Sequence, residues 1–231
     1  MVKANSNQIR TRPVTLEEIK QDREVQALIK AADDALGALG YTEHGQRHAN
    51  LVAHIAQNIL LRLHYPERVA ELAAIAAYLH DIGNAINRDD HGQTAALIAF
   101  TILREKGMDP AETTAIMAAI GNHEEEAGEP LSEICAAMIL ADKADVHHSR
   151  VRNPDPKTFD IHDRVNHAAQ HSFVRVDEAK RTITLEVTID TQKVSIMDYF
   201  EIFLDRMLMC RRAAKVLNCS FELMINRVKM V

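Results

Sequence analysis

The sequence predicts a mainly α-helical fold carrying a small β-β-α-β unit at its C-terminal end. Three observations lead there. Apolar residues recur at helical spacing from Thr15 to about residue 147. The segment Asn153-Pro154-Asp155-Pro156 cannot continue a helix. Two β-branched, alternating runs follow it, at Ser172 to Val176 and Thr182 to Ile189. The expected organisation is an N-terminal helical segment over 1–40, a helical core over 41–152 and an α+β extension over 153–231.

The first helix is expected from Thr15 to about Leu39, opened by the capping-box signature Thr15-Leu16-Glu17-Glu18 and closed by Gly40. Further helices are read at about 45 to 63, 66 to 80, 92 to 106, 110 to 122 and 131 to 147, with breaks at Tyr65-Pro66, Gly83, Gly107 to Pro110 and Gly128 to Pro130. In the extension, Asp177 to Arg181 turns the two alternating runs into a hairpin. Ser195 then caps a long amphipathic helix to about Leu217, and Ser220 to Val228 reads as a third strand. Most strand pairs should be antiparallel, and the exposed edge of so small a sheet offers a route to a homodimer.

The chain has 231 residues, 47% hydrophobic and 4% aromatic, with 27 Lys+Arg against 33 Asp+Glu and a formal net charge of -6. Enough apolar residues are present for a real interior, which excludes disorder, collagen and a disulfide scaffold. The mild acidity opposes a general nucleic-acid coat protein, though it permits a small phosphorylated substrate. Cys135, Cys210 and Cys219 are too far apart for a C-x-x-C pair and read as buried reduced thiols. The opening MVKANSNQIRTRP lacks an apolar leader core and no apolar run reaches membrane length, so a soluble cytoplasmic protein is expected.

Common catalytic signatures are missing: no G-x-G, no P-loop Lys-Ser/Thr after Gly45, no H-E-x-x-H and no G-x-S-x-G. What remains is a scatter of His and Asp that helical geometry gathers. At about 100° per residue, His48 shares a face with Val52, Ile55 and Ile59, while His54 points away. Asp142 continues the stripe Leu131, Cys135, Met138, which carries a carboxylate on a buried face. His123 follows Ile116 and Ile120, His80-Asp81 ends the most apolar helix, and His91 opens the next after Asp89-Asp90. Alone, each has an ordinary explanation: a hydrogen-bonded core His, a helix-pairing carboxylate, an N-cap Asp. Together, four histidines and two aspartates at such positions would leave buried polar groups unanswered unless a cation holds them.

The order His48, His80-Asp81-Ile82-Gly83, Asp90-His91-Gly92, His123 and Ala141-Asp142-Lys143 resembles the HD superfamily of metal-dependent phosphohydrolases, in the branch with two extra histidines between the HD pair and the last Asp. The resemblance covers about residues 41 to 152. It implies an HD-domain helical core in which His48, His80, Asp81 and Asp142 bind one divalent metal and Asp81 bridges to a second held by His91 and His123. Imidazole with carboxylate suits Fe, Mn, Co, Ni or Zn, and the resemblance favours Fe or Mn. It further implies hydrolysis of a phosphomonoester or phosphodiester by a metal-activated water, with Asp81 at the centre of the chemistry. HD-type mixed-valent di-iron oxygenases share the ligand order, and a non-catalytic metal-bound regulatory module is a third reading.

Many two-metal relatives carry a Lys after H-D-x-G, where this chain has Asn84. Phosphate would then need other cations: Lys143 beside the last ligand, Arg47 beside the first, or Arg150 and Arg152 beyond, each also readable as a solvated surface charge. His44, one turn before His48, could reach the site mouth as a general acid or phosphate contact, or be a surface or cap histidine. With no Trp, four Tyr and six Phe, a base-stacking platform for polymeric nucleic acid is not expected. The expected substrate is a small soluble phosphoester, a nucleotide or similar, held in a compact pocket bounded by His44, the loop after Gly83 and the Asp142 to Arg152 segment.

Overall fold

The computed structural model describes residues 12–231. Residues 1–11, most of the stretch in which a leader was sought, lie outside the described residues. Seven helices come first: α1 Leu16–Gln21, α2 Arg23–Ala38, α3 Gln46–Arg62, α4 Glu67–Leu79, α5 His91–Glu105, α6 Pro110–Gly121 and α7 Glu133–Asp142. After them stand a short helix α8 Ile161–Ala168, strands β1 Ala169–Asp177 and β2 Thr182–Ile189, the long helix α9 Ile196–Val216, and strands β3 Ser220–Ile225 and β4 Val228–Lys229. The expected mainly α core with a small C-terminal sheet is what is observed.

The capping box at Thr15 forms, with Thr15 accepting from the Glu18 amide and Glu18 accepting from the Thr15 amide. The single helix expected to Leu39 is two helices. Asp22 leaves helical geometry because its carboxylate caps α2, accepting from the Glu24 and Val25 amides. In α2 the buried residues Val25, Ile29, Ala32 and Leu36 form one stripe. The middle of the fold is α4, whose residues Leu72 to Leu79 are all buried, packed between α3, α6 and α7.

Two further readings are corrected. Helix α7 ends at Asp142 and does not reach residue 147, because the chain turns there to carry Asp145 inward, where Arg150 donates to its carbonyl at 2.6 Å. Leu131 precedes the N-cap Ser132 and is 67% exposed, so it is no part of the buried stripe that Cys135 and Met138 occupy. Helix α8 was not foreseen; its apolar side is only Ile161, Val165 and Ala168 among polar residues, and Asp160 caps it through the Asp163 amide.

The sheet has the order β1-β2-β3-β4. β1 and β2 are the expected antiparallel hairpin, with Val174 opposite Leu185. β3 lies parallel to β2, Leu185 opposite Leu223, because α9 carries the chain back across before it re-enters the sheet. Where one strand was read to Val228, Asn226 and Arg227 turn with positive φ and return the chain as β4. α9 packs on α7, and Phe203, Met207, Cys210 and Ala214 are among its buried residues, so the extension reaches the helix that carries Asp142. No described helix is long and apolar enough to cross a membrane.

Candidate metal centre

Helix ends place the ligand-type residues. His48 lies in the first turn of α3, His80 caps the C-terminus of α4 with Asp81 next to it, His91 opens α5, His123 follows the end of α6, and Asp142 is the last residue of α7. Gly83, in the 3-10 turn after Asp81, lets that turn lie against α5. A Cβ there would stand 2.0 Å from the His91 carbonyl oxygen and 2.6 Å from the Ala95 nitrogen, so a side chain would push His80-Asp81 away from His91.

All six residues come together. His48 Nε2 is 3.5 Å from Asp81 Oδ2 and 3.5 Å from Asp142 Oδ1, and His80 Nε2 is 3.3 Å and 3.5 Å from the same two oxygens. On the other side of Asp81, Oδ1 lies 3.4 Å from His91 Nε2, which is 3.2 Å from His123 Nε2. The four imidazoles are buried. Two sets could hold an ion by mutual distance, His48 with His80 and Asp142, and His80 with Asp81 and His123, so His80 belongs to both.

The donor set fits metal ions. Each Nδ1 is turned to an acceptor: His48 to the Asp145 carboxylate at 2.7 Å, His80 to the Ala77 carbonyl at 2.7 Å, His91 to the Arg88 carbonyl at 3.1 Å, and His123 to the Ile120 carbonyl at 2.7 Å. Each Nδ1 is therefore an N–H donor and each Nε2 is the nitrogen aimed into the cluster, the outer bonding that orients metal-binding histidines; at His80 a metal would take the place of the Nε2 proton that the two carboxylates favour. Asp81 Oδ2 is buried with no hydrogen-bond partner. Asp81 and Asp142 also stand at the negative ends of helices, where a carboxylate is unfavourable until a cation answers it.

Electrostatics agree. Burial raises the carboxyls of Asp81 and Asp142, yet His80 at Asp81, and Lys143 followed by His48 and His80 at Asp142, hold them well below the usual range. Burial lowers His80, but the two carboxylates outweigh it and push it up to about 10. His123, buried beside other cationic groups, is pushed down to about 3. The cluster as a whole calls for positive charge on its carboxylate side.

Around the ligands the structure sorts the expected contacts. Lys143 is buried, not solvated, with Nζ 2.7 Å from Asp142 Oδ2 and 3.0 Å from Glu125 Oε1. Arg150 is also buried, donating to the Glu43 and Asp145 carbonyls. Arg47 is engaged by Glu43 and Asp145 and lines a different groove, between α3 and β1, together with His147. Arg152 pairs with Asp33. His44 is half-buried, its Nδ1 2.6 Å from the Thr42 carbonyl and its ring 5.3 Å from that of His48; burial and then Arg150 hold it well below the usual histidine range. Asn84 donates to the Asp81 carboxylate at 3.1 Å, so the residue that replaces a Lys supports the central ligand.

Four residues near the site were not foreseen. Asp145 orients His48, Arg88 lies 3.2 Å from His91 Nε2, Glu125 joins Lys143, and Arg206 reaches Glu125 from α9 at 3.0 Å. Only Asp145 had a readable signal, its place three residues beyond Asp142; Arg206 needed the packing of α9. A small space of about 20 Å³ lies over the ligands, and a cavity of about 430 Å³ adjoins it, sharing His44, Arg88 and Arg206.

The HD domain family model matches residues 45–201, well over half of the chain. The uncharacterized protein MJ1020 of Methanocaldococcus jannaschii is 29% identical over 202 residues, 76% of either chain. The match begins just before His48, contains every ligand-type residue of the cluster and runs into α9. With that extent of match over a buried His and Asp cluster, the chain belongs to the HD-domain family, a superfamily of metal-dependent, hydrolase-type proteins.

Proposed function

We propose that this chain is a phosphohydrolase that cleaves a phosphomonoester or phosphodiester of a nucleotide or another small phosphorylated substrate. The observation that carries the reading is the placing of Asp81, one oxygen toward His48 and His80 and the other toward His91, beside a space lined by cationic side chains. His48, His80, Asp81 and Asp142 would hold one divalent metal, and Asp81, His91 and His123 a second, with Fe or Mn first and Zn, Co or Ni as other candidates. Such ions supply an acidified water as nucleophile and charge neutralisation at the phosphoryl oxygens.

The chain's own residues do the rest. Arg88, Lys143 and Arg206 line the space over the ligands and orient the phosphoryl group there, with Arg150 further out in the adjoining cavity. Lys143 also answers the charge of Asp142, and Asn84 keeps the Asp81 carboxylate from rotating. His44 donates its Nδ1 proton to the Thr42 carbonyl, so the Nε2 of its neutral ring can accept a hydrogen bond from a water or the substrate, while burial and Arg150 oppose its becoming charged. Arg47, tied to Asp145, steadies His48 and does not meet substrate.

The test is phosphate release from a panel of nucleotides and simple phosphoesters by Mn(II)-loaded protein, set beside oxygen consumption by the iron form. Phosphate release that disappears in Asp81→Ala together with bound metal is the expected result. Full metal occupancy without hydrolysis of any ester would reject the reading, and oxygen uptake coupled to substrate loss would put an oxygenase in its place.

A further inference from the structure

β1 is an edge strand: the sheet runs β1-β2-β3-β4, so only one side of β1 is paired. Beyond its free side lies the groove whose other wall is α3. Two adjoining cavities of about 430 Å³ and 290 Å³ form it, and they share Leu51 and Ile55 of α3 with residues 172–174 of β1. In the larger one, five consecutive strand residues, 172–176, line the wall. A sheet face presents every second residue, so an unbroken run of five is the mark of a strand's edge. In an antiparallel pair the bonds to β2 use alternate residues of β1, and the amides and carbonyls between them point the other way. Among the described residues, no backbone group outside β2 bonds to 172–176.

The side chains narrow what fits there. Ile55, Val174 and Val176 pack against the core yet stay half-buried, Leu51 beside them is the same, and Phe173 is 48% exposed. The rim is cationic in a chain of net charge -6, with Arg62 and Arg175 at one end and Arg47 at the other. Arg175 pairs with Glu186, and Arg47 with Glu43 and Asp145, but Arg62 is exposed and has no ion pair among the described residues. The acid of the lining, Asp145, has a side chain only 1% exposed and is already held by Arg47 and His48. A second copy of the chain does not fit, because its β1 carries β2 on the other edge and that strand would fall where α3 stands. Residues 1–11 hold Lys3 and Arg10 and no acid, so they do not match the rim.

We propose that this groove binds an extended peptide segment of another protein. The segment adds to the free side of β1 as a further strand, lays every second side chain on the apolar floor between β1 and α3, and sets an Asp or Glu against Arg62. The wall of 172–176 matches about five residues of such a strand. The proposal stands whether or not the chain is a phosphohydrolase.

The full chain is immobilised and panned against a phage-displayed library of random heptapeptides, and the best selected peptide is synthesised and titrated by fluorescence polarisation. Selected sequences should alternate apolar with polar residues and carry Asp or Glu near one end. Arg62→Glu should weaken binding by about tenfold, whereas Arg62→Lys should keep most of it. Methylating the peptide's amide nitrogens one at a time should weaken binding by about fivefold at every second residue and spare those between, since only alternate amides donate to β1. Melting curves identify a variant that fails to fold, in which case Arg62→Ala takes its place. Failure to select any peptide, equal affinity in the Arg62→Glu protein, or a methylation scan without alternation overturns the proposal. Dimerisation of the chain in light scattering that Arg62→Glu abolishes would give the groove to a second copy and overturn it as well.

Discussion

His48 Nδ1 donates to Asp145 Oδ2 across 2.7 Å, and the same carboxylate receives Arg47 Nη2 at 2.8 Å. Burial would raise Asp145, but Arg150, His48 and Arg47 hold it far below the usual carboxylate range, so it stays ionised and keeps His48 in the tautomer that offers Nε2. Asp145→Ala should lower metal affinity by about 10–100-fold. It also strands the buried Arg150, at a cost of about 3 kcal/mol. Metal titration and melting curves read the two effects, and full-affinity metal binding in this variant would show that Asp145 does not orient His48.

Gly83→Ala should be among the most damaging single-methyl changes in the chain. The added carbon would overlap the His91 carbonyl at 2.0 Å, and both contacts are backbone that cannot rotate away. A loss of about 3 kcal/mol is expected. That corresponds to roughly 6–12 °C in the melting midpoint. An unchanged midpoint with normal metal content would show that α5 can shift without cost.

Arg206→Ala should raise KM for the phosphoester by about tenfold with metal content preserved, since Arg206 lines the space over the ligands without being one of them. Lys143→Ala should do the same, with some loss of kcat because Lys143 also faces Asp142 at 2.7 Å. An unchanged KM in both variants would place phosphate recognition elsewhere.

The thiols supply a pH test. Burial pushes Cys135 up to about 11 and Cys210 up to about 12, and raises Cys219. At pH 8 only about a thousandth of Cys135 is thiolate, so native protein should react slowly with an aromatic disulfide reagent, whereas denatured protein should react at once. All three cysteines are free and should titrate after denaturation. Because the unfolded thiols ionise first, stability from this source is complete below about pH 8 and falls as pH rises above it. Fast native labelling at pH 8 would contradict the buried placement.

The helices that carry the ligands were legible because their apolar periods are long and breaks at Gly or Pro separate them; the histidines and Asp81 fell near helix ends, whereas Asp142 was read on a buried face inside a helix that in fact ends there. What was hidden depends on distant chain. α8 has too few apolar residues to announce a period, the parallel pairing of β2 with β3 follows from the path of α9, and Arg206 enters the site only because α9 docks on α7. Lys143 and Arg150 looked like surface charges because sequence shows a charge without its partner; Asp142, Glu125 and Asp145 are what allow them inside.

Three of the four imidazoles share one device. His80, His91 and His123 each turn Nδ1 to the carbonyl three residues earlier, on Ala77, Arg88 and Ile120. Their orientation is settled within a single turn of chain, so an arriving ion meets a receptacle that is already shaped. Over that receptacle the space is bordered by Arg88, Lys143 and Arg206 and also by Glu124 and Glu125, with Arg206 tied to Glu125 at 3.0 Å, so its mouth carries fixed charges of both signs.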